Sequence, residues 1–221
     1  MILEIIAKNL EDILHINKSN ADRIEFCTSL EVGGLTPSYE EIKQAGENSK
    51  LPVNVILRPS ARDFYYTEDE FEKMLKDLKY IKNTKVSGIV VGIITPEGEI
   101  NIDRMKKIMK LKGDKTVTFH KAFDQVKNFE KGIETLYSLG VNTVLTACGE
   151  TIELNTENLN KIKNLNKVTV LAGGGVNEKN ILKIIPVADE IHIGTAARID
   201  GTWNSGIDID KINKFKKIVK K

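Results

Sequence analysis

The chain has 221 residues, 41% hydrophobic and 29% charged, a size and mixture that suit one globular α/β domain and exclude a disordered chain. With 33 basic against 31 acidic residues the net charge is +2, so no charge excess recruits nucleic acid or an anionic membrane. No apolar run reaches the length of a membrane span, and the N-terminal MILEIIAKNLEDI carries acidic residues where a signal peptide keeps an apolar core. Two cysteines, Cys27 and Cys148, lack CxxC spacing and make no disulfide framework, so the expectation is a cytoplasmic, reducing location.

In chain order, strand and helix signals alternate throughout. Leu3–Ile6 reads as a strand and Leu10–Ile16 as a helix. Arg23–Phe26 is the second strand, and Pro37-Ser38 opens a helix whose Ser38 and Glu41 form a capping box. Val53–Leu57 follows, then a second capping box, Thr67 and Glu70, before a helix striped by Phe71, Met74, Leu75, Leu78 and Ile81. Gly88–Val91 precedes a helix carrying Met105, Ile108 and Met109. The fifth strand, in TVTFHKAFD at 116–124, ends on His120 and leads to a helix striped by Phe129, Ile133, Leu136 and Tyr137. Thr143–Leu145 precedes a helix with Leu159, Ile162 and Leu165. Thr169–Ala172 ends in Gly173-Gly174-Gly175, with Asn177 capping a helix through Ile181, Leu182 and Ile185. Glu190–Ile193 is the last strand, before a helix with Ile209, Ile212, Phe215 and Ile218.

Eight strand–helix units without a linker predict a single (β/α)8 TIM barrel spanning residues 1–221. A doubly wound open sheet would want a glycine-rich turn after its first strand, where Ala7-Lys8-Asn9 supplies none.

In such a barrel the strands' apolar residues pack outward on the helices, which sends their neighbours inward. Glu4 therefore points in, as do Arg23, Glu25 and Cys27, Asn54 and Arg58, His120, and His192. Ionisable groups inside a barrel are costly unless paired or functional. A self-satisfying pair such as Glu25 with Arg58 is one reading, and a site at the carboxyl ends of the strands is the other. Arg23, two residues deeper than Cys27, belongs at the bottom of the barrel, and His15 on a polar helix face is solvated. Gly173, Gly174 and Gly175, with Gly194 and Thr195 after the eighth strand, occupy loops that hold phosphate through backbone N–H groups in many barrels. Glycines also serve there simply to supply positive φ. Cys27 reads as a small buried side chain, a nucleophile or a soft-metal donor.

ADRIEFC at 21–27, GGLTPS at 33–38, ILRP at 56–59 with Asp63, ITPEGEI at 94–100, TFHKAFD at 118–124 and LAGGGV at 171–176 resemble the copper homeostasis protein CutC family. These motifs stand in the family's order and cover almost the whole chain, although Lys121 and Ser60 stand where the family usually has arginine. The resemblance implies a (β/α)8 barrel, a cytoplasmic location, a homodimer or higher homo-oligomer, and a role in copper binding and tolerance. Its functional positions fall on Glu4, Glu25, Cys27, Arg58, His120, Asp124 and His192. As a copper protein the chain would hold Cu(I) at the barrel mouth through Cys27, helped by His120.

As an enzyme of isomerase, lyase or hydrolase type it would act on a small anionic, possibly phosphorylated, metabolite. His120 or Glu25 would then move the proton, and Arg58 and Lys121 would hold the anion. Glu4, Glu25 and His120 could instead hold a hard divalent ion.

Overall fold

Eight parallel strands close into one barrel in which each strand pairs with its neighbours in sequence; the structure is a computed structural model describing residues 1–220. The strands are β1 (Ile2–Ala7), β2 (Arg23–Phe26), β3 (Val53–Ile56), β4 (Gly88–Val91), β5 (Thr116–Phe119), β6 (Thr143–Thr146), β7 (Thr169–Ala172) and β8 (Glu190–Ile193). The helices are α1 (Leu10–Ile16), α2 (Tyr39–Asn48), α3 (Glu68–Ile81), α4 (Ile102–Leu111), α5 (Phe129–Ser138), α6 (Thr156–Asn164), α7 (Ile181–Ile184) and α8 (Ile209–Val219). The predicted (β/α)8 barrel is the fold. Pairing of β1 with β8 closes it and sets Glu4 beside His192.

Alternation along the strands makes two apolar regions. Outward residues such as Leu3, Ile24, Val55, Val117 and Ile191 join the helix faces in one continuous core. Inside the barrel a separate small cluster holds Ile6, Cys27, Ile56 and Val90, with Leu30 and Trp203 packed on it from the loops. On β1 and β2 this apolar cluster lies one inward step further along the strands than the charged Glu4 and Glu25.

Local chemistry starts the helices where the sequence predicts. Ser38–Glu41 and Thr67–Glu70 form complete capping boxes, and Asn9, Asn101, Asn128 and Asp208 each accept a first-turn N–H. Two predicted stripes differ. Leu182 is 71% exposed and Tyr137 54% exposed. Helix α7 has only four residues, since Pro186 lacks the N–H to continue an α-helix and a 3-10 turn, Ile185–Val187, follows. Asn177 heads the turn before α7 rather than capping it. The Tyr137 ring lies outside, beneath the Lys167 ammonium at 4.7 Å.

Candidate active site at the barrel mouth

The carboxyl ends of the strands surround a cavity of about 260 Å³. Glu25, Cys27, Arg58, His120, Lys121, His192, Gly174, Gly175, Gly194 and Thr195 line it. Glu4, Asp124 and Gly173 stand behind the wall. The self-satisfying pair of Glu25 with Arg58 does not form: Arg58 binds elsewhere, and Glu25 turns to His192.

A ladder of charge rises through the barrel to the cavity floor. At the bottom, Arg23 bridges Glu190 and Glu4, as its depth in the strand predicts. Glu4 Oε1 meets His192 Nδ1 at 2.7 Å, and His192 Nε2 lies 3.4 Å from Glu25 Oε2. Burial alone would raise the Glu4 carboxyl, but the hydrogen bond to His192 and the charge of Arg23 outweigh it and bring Glu4 down to about 2. Burial would likewise lower His192, yet Glu25 and Glu4 together raise it. Burial, with the Glu4 charge, pushes Glu25 up to about 7 despite the pull of His192 and the weaker pull of Arg23. The top of the ladder is a carboxyl–imidazole pair poised to exchange a proton near neutral pH.

His120 is tuned the opposite way. It follows β5, and its Nδ1 accepts the Ala122 N–H at 3.1 Å. The ring proton therefore sits on Nε2, which is buried without a partner. Burial, then the neighbouring Arg58 charge, push this imidazole down to about 3. His120 is a neutral N–H donor.

Arg58 is 95% buried and lacks a carboxylate within 4.0 Å among the described residues. Its Nη1 donates to the Val32 and Gly34 carbonyls at 2.9 and 3.0 Å, its plane lies 5.0 Å from the Phe64 ring, and its Nε is unpartnered. Loop carbonyls fix the guanidinium without neutralising it. The β2–α2 loop that supplies them turns through glycines at φ 88°, Gly33 and Gly34. Lys121 reaches the cavity from the opposite side, its Nζ 2.6 Å from Asp124 Oδ2. Asp124 Oδ1 accepts from Thr146 Oγ1 at 2.5 Å and Ala147 N at 2.9 Å, so this carboxylate anchors a loop and aims Lys121.

The glycines of the mouth have a steric reason. A Cβ on Gly174 would meet Lys121 Nζ at 2.6 Å, one on Gly194 would meet Trp203 Cη2 at 2.6 Å, and one on Gly173 would meet Leu145 Cδ1 at 2.6 Å. These positions admit side chains that cross the mouth; Gly175 alone of the four borders open space.

The donors expected for copper fit that ion poorly. The Cys27 thiol sits in the interior apolar cluster, where burial and then the Glu25 charge raise it well above its ordinary value. A soft ion binds thiolate, with further soft donors. His120 presents a protonated Nε2, so binding there would cost its bond to Ala122. Cys148 is buried, with its thiol pushed up to about 12 by burial. Among the described residues no three His, Cys, Asp or Glu side chains converge as a metal site, which also leaves the Glu4, Glu25 and His120 set without a hard ion's geometry.

Sequence reasoning missed Trp203, Phe64 and Leu30, which complete the cavity wall. They lie on loops without periodicity, and the only available signal was that Trp203 is the single tryptophan.

Fold and cavity together define a (β/α)8 barrel with a cavity lined by ionisable side chains at its carboxyl end. The CutC family model matches residues 1–197, and the chain belongs to the CutC family. A CutC family protein from Photorhabdus laumondii is 39% identical over 203 residues, covering 89% of this chain and 80% of that protein. Its Salmonella typhimurium counterpart is 36% identical over 196 residues, covering 86% and 78%. The crystal structure of a Streptococcus agalactiae protein, provisionally named copper homeostasis protein CutC, superposes with a TM-score of 0.83 at 28% identity, covering 88% of this chain and 98% of that one.

Proposed function

We propose that the chain is an enzyme performing acid–base chemistry on a small organic anion at the barrel mouth. The observation that carries this reading is a buried, un-neutralised Arg58 facing the same cavity as the Glu25–His192 pair. Arg58 holds the substrate's carboxylate or phosphate, with Lys121 as a second cation. Glu25 takes a proton from a C–H or O–H beside a carbonyl and becomes neutral, leaving the negative charge on the substrate, while His192, oriented by Glu4, positions the Glu25 carboxyl. The His120 Nε2–H donates to the oxygen on which negative charge grows, a neutral donor suited to an oxyanion. Isomerase, lyase and hydrolase chemistry all use this set of groups. Gly175 and Thr195 line the cavity, where backbone N–H groups would serve a phosphorylated substrate.

Thermal-shift screening against small carboxylates and organic phosphates tests the reading. Anions should stabilise the wild type and lose that effect in Arg58→Met; equal stabilisation of both proteins, or of neither, would defeat it.

A second reading, copper homeostasis, has two supports: the name borne by the Streptococcus agalactiae relative and the Cys27 thiol on the cavity wall. Anaerobic Cu(I) titration against a competing chelator discriminates. Tight stoichiometric binding that disappears in Cys27→Ala would install copper handling in place of the enzyme. The donor chemistry above favours weak binding indifferent to Cys27. A cytoplasmic location and homo-oligomerisation, both implied by the resemblance, belong to the same proposal, and light scattering of the purified protein tests the second.

A further inference from the structure

The cavity is built in two halves. Above the Glu25–His192 pair on β2 and β8, the wall from β8 through β1 to β3 gathers the apolar side chains Trp203, Ile6, Leu30, Cys27 and Ile56. From Arg58 round to β7 it carries the cations and the His120 donor. A bare inorganic anion would satisfy the second half and leave the first against water.

The apolar half is held in place by its own framework. The Trp203 indole lies over Gly194 and against Ile6, while the Arg198 guanidinium sits 5.0 Å from its ring. Arg198 is fully buried, bonded to Asp12 Oδ2 at 2.6 Å and to the Ser205 carbonyl at 2.7 Å. Lys8 Nζ donates to the Trp203 carbonyl. These ties across the β1–β8 closure fix an aromatic side chain at the rim, where a floppy loop would have sufficed to connect β8 to α8.

We infer that the ligand is an amphipathic organic anion, with a carboxylate or phosphate on Arg58 and a compact apolar group seated against Trp203 and Leu30. This rests on the anion reading above and adds its apolar half, which makes Trp203 and Leu30 the residues that set specificity.

The single tryptophan makes its own reporter. Phenyl phosphate and benzoate are titrated by intrinsic fluorescence and calorimetry, beside inorganic phosphate and acetate. The aryl anions should perturb Trp203 emission and bind about tenfold or more tighter than their bare counterparts. Leu30→Ala, which keeps the reporter, should narrow that ratio, and Trp203→Ala should remove most of it in calorimetry without weakening inorganic phosphate. Equal affinity for aryl and bare anions, or a ratio unmoved in both variants, overturns the amphipathic ligand and leaves the anion reading standing. Failure of all four anions to bind, or binding unaffected by Arg58→Met, overturns both.

Discussion

At the scale of single residues, two imidazoles on neighbouring faces of one cavity are driven in opposite directions. His192 lies between Glu4 and Glu25, whose charges raise it above its ordinary value, whereas burial and Arg58 lower His120. Nitrogen NMR should find the His120 ring with its proton on Nε2 and untitrated down to roughly pH 4, while His192 remains cationic above the usual imidazole range. An Nδ1–H tautomer at His120 would remove it as an oxyanion donor and reopen it as a metal ligand. Inward placement of both histidines was legible from strand alternation. Their opposite charge states were not, because these depend on Arg58 and Glu4, which come from strands far away in sequence.

At the scale of elements, loops decide the site while strands only aim it. Gly194 shows the coupling: its missing Cβ makes room for Trp203. Gly194→Ala should displace the indole and shift its emission to the red, a change absent from Gly175→Ala, where the added methyl meets open space. The buried Arg198–Asp12 pair joins the β8–α8 loop to α1. Arg198→Met strands a buried carboxylate and should cost about 3–5 kcal/mol in chemical denaturation. Asp12→Asn combined with Arg198→Met should recover part of that loss. The capping boxes and strand bounds were readable because they rest on neighbours within a few residues. Leu182 and Tyr137 were misassigned to buried stripes because periodicity counts apolar residues without knowing where a helix stops or what its neighbours leave uncovered.

At the scale of the whole molecule, the interior charges tie stability to pH. Glu25 is raised to about 7, so the folded chain holds a proton that the unfolded chain releases near 4.5, and stability falls as pH rises between them. His192, also raised, contributes stability below its unfolded value of 6.5 that is lost as pH climbs past the folded one. His120 works against both: lowered to about 3, it makes stability fall as pH drops from 6.5. Glu4, lowered to about 2, adds to the loss on the acid side, below 4.5. Thermal melting should therefore change little between about pH 5 and 6.5, where Glu25 and His120 oppose each other, and decline above about pH 6.5, where Glu25 and His192 both lose stability unopposed. Glu25→Gln should flatten the alkaline decline; an unchanged profile would mean that Glu25 is not coupled to His192.

The sequence by itself determined the barrel and which side chains face inward. Those follow from a two-residue period on strands, a helical period between them, and turn chemistry, all local properties of the chain. Tertiary structure alone decided the partnerships. Whether Glu25 met Arg58 or His192 depended on the β1–β8 closure and on carbonyls of a loop that captures Arg58, and Trp203 reached the cavity only because Asp12 and Lys8, nearly two hundred residues away, hold its loop. Direction along a strand is set by covalent geometry, whereas pairing across a barrel is set by how the ring closes.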